Sequence, residues 1–353
     1  MEDKREKTET EGGRNALRDL IFRLCSAPGN SGDELFASKA AAAELAALGE
    51  TEIDSVGNVY MHFGKKDAEE HILLDAHIDQ IGLIVTGVDE DGFLSVDACG
   101  GIDKRLMPGS AVTVYGKEKL TGIVCCMPPH LMKGEEKLLP VNELHIDVGL
   151  SGEEAGRLVS PGDRALMWMK PKMLLNGRLS SGALDDRVGC ASLIRCAQLL
   201  KDEELSCRVT VLLSCDEEVN GRGARTGGFR MQPTQAVVVD VGFAAQPGVS
   251  ETVSQPLGAG PTVGFAPILD GGMSRRFVSL AEENSIPYKA DVYGGRTCTN
   301  SEAVAVVGRG VRTALISIPL CNMHSAIETV DLEDVENTAR LIAAYVKEVG
   351  SRG

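Results

Sequence analysis

The sequence predicts an α/β protein: a mixed or mostly parallel sheet flanked by helices, with a small all-β domain inserted into it. Three observations carry that expectation. At 353 residues the chain is longer than one ordinary core holds, which calls for a large domain with an insertion or for two domains. Toward both ends, short apolar runs alternate with stretches of helical periodicity, the pattern of parallel strands joined by helices. Between them, from about 81 to 169, the texture changes to short alternating or β-branched runs broken by Gly and Pro, which reads as an all-β unit. The expected organisation is a charged tail over 1–14, an α/β domain built from 15–79 plus 174–353, and a β-rich insertion over 80–173.

Taken in order, the opening MEDKREKTETEGGR is charged and aperiodic, which predicts a frayed tail and is the reverse of a secretory signal. Residues 15–25 (NALRDLIFRLC) and 34–48 (ELFASKAAAAELAAL) place apolar residues three and four apart around the turn-rich SAPGNSGDE, predicting two surface helices. His71 to Ala76 (HILLDA) is an apolar run of the kind buried on both faces of a parallel sheet. The insertion contributes GLIVTGV, GFLSVDA, AVTVYG, TGIVCCM and ALMWMK as strand candidates. After Leu174 the pattern predicts a helix near Arg187 to Leu200, strands at Arg208 to Ser214, Ala236 to Val241 and Thr313 to Pro319, and a closing helix from Leu332 to Val349.

Composition narrows the function. With 43% hydrophobic and 25% charged residues the chain can bury a sizeable core and is not intrinsically disordered. A net charge of -15 argues against nucleic acid or an anionic membrane as partner. No run approaches the roughly 20 apolar residues of a membrane span, so a cytoplasmic protein is expected. The ten cysteines are scattered through apolar segments without CxxC spacing and read as reduced thiols. Cys125 and Cys126 are neighbours in a strand-like run, where side chains point to opposite faces, which disfavours a bond between them.

Polar ligands at the ends of buried strands are rigid and face the crevice of an open α/β sheet. Five segments meet that description. They are LDAHID (74–79), ALDDR (183–187) at the mouth of a helix, SCDEE (214–218), VVVD (237–240) and CNMHS (321–325). Together they bring two histidines and several carboxylates to one edge of the sheet, where buried acids would repel one another without a cation. That points to a metal site, and mixed imidazole and carboxylate donors suit zinc, cobalt or manganese. In the pair Glu217-Glu218 one carboxylate can bind metal while the other stays free as general base.

These residues, with PGNSGDE (28–34), AHIDQIG (76–82), GGIDKRLMPG (100–109), MPPHL (127–131), HIDVGL (145–150), PGD (161–163), ALDDRVG (183–189), DEEVNGRGA (216–224), LGAGP (257–261), GGRTCTN (294–300) and MHSAIETVDLEDVENTARL (323–341), make the chain resemble the TET-type, glutamyl-aminopeptidase-like family of dinuclear metallo-aminopeptidases. Some members of that family are labelled endoglucanases. The resemblance implies a zinc-peptidase-like fold and two divalent ions per subunit. It implies that His77 and Asp240 hold different ions, that Asp185 bridges them, and that Glu218 and His324 complete the two sets. It makes Glu217 the general base toward a water activated by both ions, and Asp79 the partner that orients His77. It further implies short peptides as substrates, cleaved at the N-terminal residue, and an inserted domain that forms dimers which assemble into tetrahedral particles. Family members usually carry Glu where Gln80 stands, Gly where Asn220 stands, and Gly or a similarly small residue at Cys298. Gln80 is therefore expected to tune metal affinity, and Cys298 to narrow a pocket or make activity thiol-sensitive.

Other features read more plainly. His62, His71, His130 and His145 lack partner spacing and are expected to be structural. The Gly294-Gly295-Arg296-Thr297 segment is a substrate loop or a tight turn. Gly221-Arg222-Gly223 lacks the context of a dinucleotide fingerprint, and no GxSxG elbow is present. Two alternatives to the aminopeptidase stay in view: a metal-independent glycan hydrolase working with two carboxylates, and a catalytically silent scaffold.

Overall fold

The computed structural model describes residues 2–128, 130, 139–167 and 170–351. The chain first lays down α1 (Glu2–Ser26), α2 (Leu35–Leu45), β1 (Glu50–Ile53), β2 (Val59–Gly64) and β3 (His71–His77). It then enters the insertion with β4 (Gly82–Val88), β5 (Leu94–Cys99), β6 (Ala111–Tyr115), β7 (Lys119–Val124), β8 (His145–Asp147), α3 (Gly152–Leu158) and β9 (Arg164–Met167). The return runs through β10 (Lys172–Met173), β11 (Arg178–Ser181), α4 (Leu184–Leu200), β12 (Arg208–Ser214), α5 (Arg222–Met231) and β13 (Gln235–Phe243). It ends with β14 (Thr262–Phe265), α6 (Gly271–Glu283), β15 (Lys289–Val292), α7 (Asn300–Ala305), β16 (Arg312–Leu320), β17 (Glu328–Asp331) and α8 (Leu332–Gly350).

The main sheet has eight strands in the order β1-β2-β12-β3-β13-β16-β14-β15. Its centre, β12-β3-β13-β16, is parallel, while β1, β2 and β14 pair antiparallel on the flanks. Parallel strands joined by helices are covered on both faces, and every residue of β3 is buried. Alternation along β3 sorts the two faces. Ile72, Leu74 and Ala76 join the larger core with α1, α2, α4, α6 and α8, whereas Leu73 belongs to a smaller core with Ala224 of α5 and Val304 of α7. His77 shares the parity of Leu73, so it belongs to the face covered by the two shorter helices. A Leu or Ile fully buried in these cores contributes about 1.5–3 kcal/mol.

The insertion closes into a six-stranded antiparallel barrel, β4-β5-β8-β7-β6-β9, around its own core of Leu83, Val85, Leu94, Val96, Val112, Val114, Ile146 and Ala165. A third sheet, β10-β11-β17, lies where the chain returns to the main body.

Several elements depart from expectation. A helix, α1, runs from Glu2 through the stretch expected to be a frayed tail. Glu, Lys and Arg are strong helix formers, so propensity carries the helix where periodicity gave no signal. The insertion is not purely β, since Ser151 and Glu154 form a capping box that starts α3. Strand β7 ends at Val124, before Cys125 and Cys126, and all ten cysteines are free. Pro129 and Leu131 of MPPHL and Trp168 and Met169 of ALMWMK lie outside the described residues. Among the described residues no helix is long and apolar enough to cross a membrane.

Candidate metal centre

The C-terminal ends of the parallel strands converge on one crevice, as open α/β sheets require. His77 closes β3, opposite Ser214 at the end of β12. Asp216-Glu217-Glu218 follow directly, and Asp240 lies two residues beyond the Val238–Asp75 pair that joins β13 to β3. Asp185 and Asp186 open α4 after Ala183, which turns through a left-handed φ of 59°. His324 follows β16, also left-handed at φ 61°.

Asp185 is the hub. Its Oδ1 lies 3.1 Å from His77 Nε2 and its Oδ2 lies 3.4 Å from His324 Nε2. Glu218 Oε2 is 3.6 Å from the same His324 nitrogen. The far ring nitrogen of His324 lies 2.8 Å from the carbonyl oxygen of Gly101, which belongs to the loop after β5 of the barrel. A Cβ at Gly101 would sit 2.7 Å from that nitrogen, so only glycine lets the loop approach. His77 Nδ1 lies 3.3 Å from Asp79 Oδ1.

Asp79 does more than orient His77. Its carboxylate accepts the backbone N–H of Glu217 at 3.0 Å and of Glu218 at 3.3 Å, and the Ser31 hydroxyl at 2.7 Å. Glu34, buried in the same PGNSGDE segment, accepts the Asp216 N–H at 3.3 Å. That early turn therefore braces the loop that carries the two adjacent glutamates.

Nitrogen and oxygen donors gather here in two groups within 4.8 Å: His77 with Asp186 and Asp240, and His77 with Asp185 and Glu218. The first group sets His77 beside Asp240, a spacing suited to one shared ion and different from the implied assignment of the two to separate ions. Glu218 Oε1 and Asp186 Oδ2 are buried without a hydrogen-bond partner. Unpaired carboxylate oxygens facing imidazoles are what a hard or borderline divalent cation would satisfy.

The electrostatics agree. Burial, reinforced by neighbouring acids, pushes Glu218, Asp186 and Asp240 well above the ordinary carboxylate range. Glu217 is raised to about 7, chiefly by burial. Asp185 is driven the other way: its hydrogen bonds to His324 and His77 outweigh burial and hold it well below the usual range. The bond to Asp185 lifts His324 to about 10. Acids crowded this closely repel one another, and a cation among them would relieve that cost.

The expected site residues His77, Asp185, Glu217, Glu218, Asp240 and His324 all line one cavity of about 840 Å³, with Asp79 packed behind them. Its far wall holds Phe243, Val253, Val292 and the segment Arg296 to Asn300. That segment is built rather than a plain turn, because Glu302 accepts the N–H groups of Thr297 and Cys298 and pairs with Arg296.

Gln80 faces away from the cluster. Its Oε1 accepts from Arg187 at 3.2 Å, a fully buried guanidinium that also donates to the carbonyls of Ile78, Leu24 and Ala27. Asn220 and Cys298 line the cavity. His62 and His71 share the Thr210 hydroxyl at 2.9 and 2.8 Å, His145 belongs to β8 and His130 is exposed.

Two residues at this site carried no assignment from the sequence. Asp186 was visible only as half of a pair. Glu328 accepts the backbone N–H of both Asp185 and His324; the alternation of ETVD, with Glu328 and Val330 both buried, is the signal that could have found it.

The family model described as M42 glutamyl aminopeptidase matches residues 57–341. The chain is 30% identical to the lysyl aminopeptidase of Pyrococcus furiosus, over 94% of this chain and 97% of that protein. An aminopeptidase structure from the archaeon Desulfurococcus kamchatkensis superposes with a TM-score of 0.89 at 32% identity, covering 95% of both chains. The Pyrococcus horikoshii TET1 peptidase, described as assembling into a tetrahedron or a large octahedral shell, superposes with a TM-score of 0.84 at 32% identity, covering 94% of this chain and 99% of that one.

Proposed function

The chain belongs to the M42 glutamyl aminopeptidase family and is a metal-dependent aminopeptidase, and from that premise we propose how its residues divide the work. The observation that carries the proposal is the Asp185 carboxylate, one oxygen toward His77 and the other toward His324. Asp185 would be shared by two divalent ions, with His77 and Asp240 on one and Glu218 and His324 on the other. When bound, such ions lower the pKa of a water and polarise the scissile carbonyl.

The protein's own groups supply the rest. Glu217, with a pKa raised to about 7 by burial, is poised to take a proton from the attacking water and return it to the leaving amine. Asp79 fixes Glu217 and Glu218 through their backbone N–H groups and fixes His77 through Nδ1. The carboxylate-rich end of the cavity attracts a free α-ammonium, which restricts cleavage to the first residue of a peptide. Arg296 to Asn300 would form the substrate wall opposite.

The same reading assigns 15–79 plus 174–353 to a catalytic domain and 80–173 to an inserted dimerisation domain, in a cytoplasmic homo-oligomer of tetrahedral form. The assembly of the TET1 peptidase at 32% identity supports the homo-oligomer. Zinc, cobalt and manganese all suit the donor set.

The test is release of free amino acids from short peptides and amino-acid p-nitroanilides. Metal-stripped protein would be re-supplied separately with Zn, Co or Mn, with metal content measured in parallel. Cleavage from the free N-terminus restored by metal is expected. No cleavage by any form that binds two ions would point to a silent scaffold, and polysaccharide hydrolysis that survives chelation would point to a glycan hydrolase.

A further inference from the structure

We propose that Glu328 is a positioning residue that joins the two halves of the metal site, its single carboxylate accepting the main-chain N–H of Asp185 through Oε2 at 3.2 Å and that of His324 through Oε1 at 2.9 Å. The inference rests on the two-ion reading above. Asp185 opens α4 and His324 follows β16, so no covalent or helical continuity sets one relative to the other. Glu328 supplies that link with one rigid group. It is 1% exposed and opens β17, where it pairs with Ser181 of β11 just before the turn that leads into Asp185.

The need for such a tie is visible at His324. Its backbone is left-handed, a conformation that a residue with a Cβ keeps only when its surroundings dictate it. Glu328 holds its N–H, and the Gly101 carbonyl receives the proton of Nδ1. With Nδ1 committed as a donor, Nε2 is the nitrogen turned toward Asp185 and Glu218, and the one that would give its lone pair to an ion there. Loss of the Glu328 contact frees both the main chain of His324 and the orientation of the Asp185 carboxylate.

The chemistry specifies glutamate. Two N–H groups converge on it, and only a carboxylate offers an acceptor to each. Glutamine would turn an N–H₂ toward one of the donors, and aspartate is one methylene too short to span them from the same Cα. Glu328 lies in neither group of candidate ligands, so its effect on an ion is indirect. Partners that orient ligands in this way change metal affinity by about 10- to 100-fold when removed.

The experiment is a zinc titration of metal-stripped wild type, Glu328→Gln and Glu328→Asp, by calorimetry and by competition with a chromophoric chelator. Melting of each metal-free protein and the visible spectrum of each cobalt-loaded protein accompany it. The expected result is both ions bound more weakly than in wild type, the one beside Glu218 and His324 the more so, by at least about tenfold. Metal-free melting should stay within a few degrees of wild type, and the cobalt spectrum should change. Both ions bound with wild-type affinity in Glu328→Gln would overturn the proposal. So would the loss of fold by both variants, which would make Glu328 structural only. A wild type that binds no divalent ion would instead defeat the metal reading itself, whereas two ions in wild type and unaltered variants defeat this inference alone.

Discussion

Strand β3 carries a histidine at each end, and the contrast between those ends shows how position turns one residue type to two uses. At the N-terminal end, His71 gives or takes a hydrogen bond with the Thr210 hydroxyl, and its backbone N–H donates to Thr234. Gln235 beside it bonds Glu70 and Tyr345. Burial and the nearby Arg208 charge lower His71 to about 4, so it is a neutral, satisfied core group. At the C-terminal end, His77 meets two carboxylates, and Asp186 and Glu218 nearby each keep one buried oxygen without a partner. One end of the strand is finished as a structure; the other is left with charges that only a further partner can balance.

The contrast is broken most severely by removing chemistry from the C-terminal end without disturbing its shape. Glu217→Gln should keep wild-type metal content and lose about 10²- to 10⁴-fold in kcat, the usual worth of a general base. Full turnover in that variant would remove Glu217 from its proposed role. Gly101→Ala tests the same end from the barrel side. The added Cβ meets His324 Nδ1 at 2.7 Å, so zinc titration should find one ion weakened by about tenfold or more and the other unchanged.

The N-terminal end should answer in stability and not in catalysis. His71 binds fewer protons in the folded state than its ordinary 6.5 would give, because its folded value is about 4. Its contribution is therefore complete above 6.5 and is lost as pH falls from there toward 4, by at most on the order of 3 kcal/mol. In His71→Gln that part of the slope should vanish. Urea unfolding of both proteins at pH 7 and pH 5 measures it, and equal slopes would show that His71 does not titrate as its surroundings dictate. Kinetics at pH 7 should match wild type.

Gln80 should give the smallest effect. Glutamate there would face the buried Arg187 guanidinium and not the ligands, so Gln80→Glu should raise stability by about 1 kcal/mol or less and change metal affinity by less than about twofold. A large change in metal affinity would show that charge at position 80 reaches the site after all.

The C-terminal end of β3 was legible in the sequence because buried strands are apolar and their polar terminators stand out. His77, Asp240 and the DEE run after Ser214 each interrupt a run of Val, Leu or Ile. The central strands were equally plain, since burial on both faces leaves mostly apolar residues, with only isolated polar ones such as Asp75 and Ser317 among them. The flanking strands β1 and β2 are half-exposed or short and carry mixed residues, so no period marks them. Helix α5 has glycines at 223 and 227 that bring it close to β12 and the loop after it, and one at 228 that faces Val304 of α7 and Val307, and those same glycines hide its helical character. Glu328 was hidden for a different reason: its partners are backbone amides, and a sequence does not show where amides will converge.

The insertion would be drawn on any domain map as a detachable module, with its own barrel and its own core. The Gly101 carbonyl denies it that independence. Ring tautomer at His324 is chosen by an atom of the barrel loop, so excising residues 80–173 would leave the acids in place and lose the selection of which nitrogen is free. The two units must be inherited, transplanted or redesigned together, because the boundary between them runs through one imidazole.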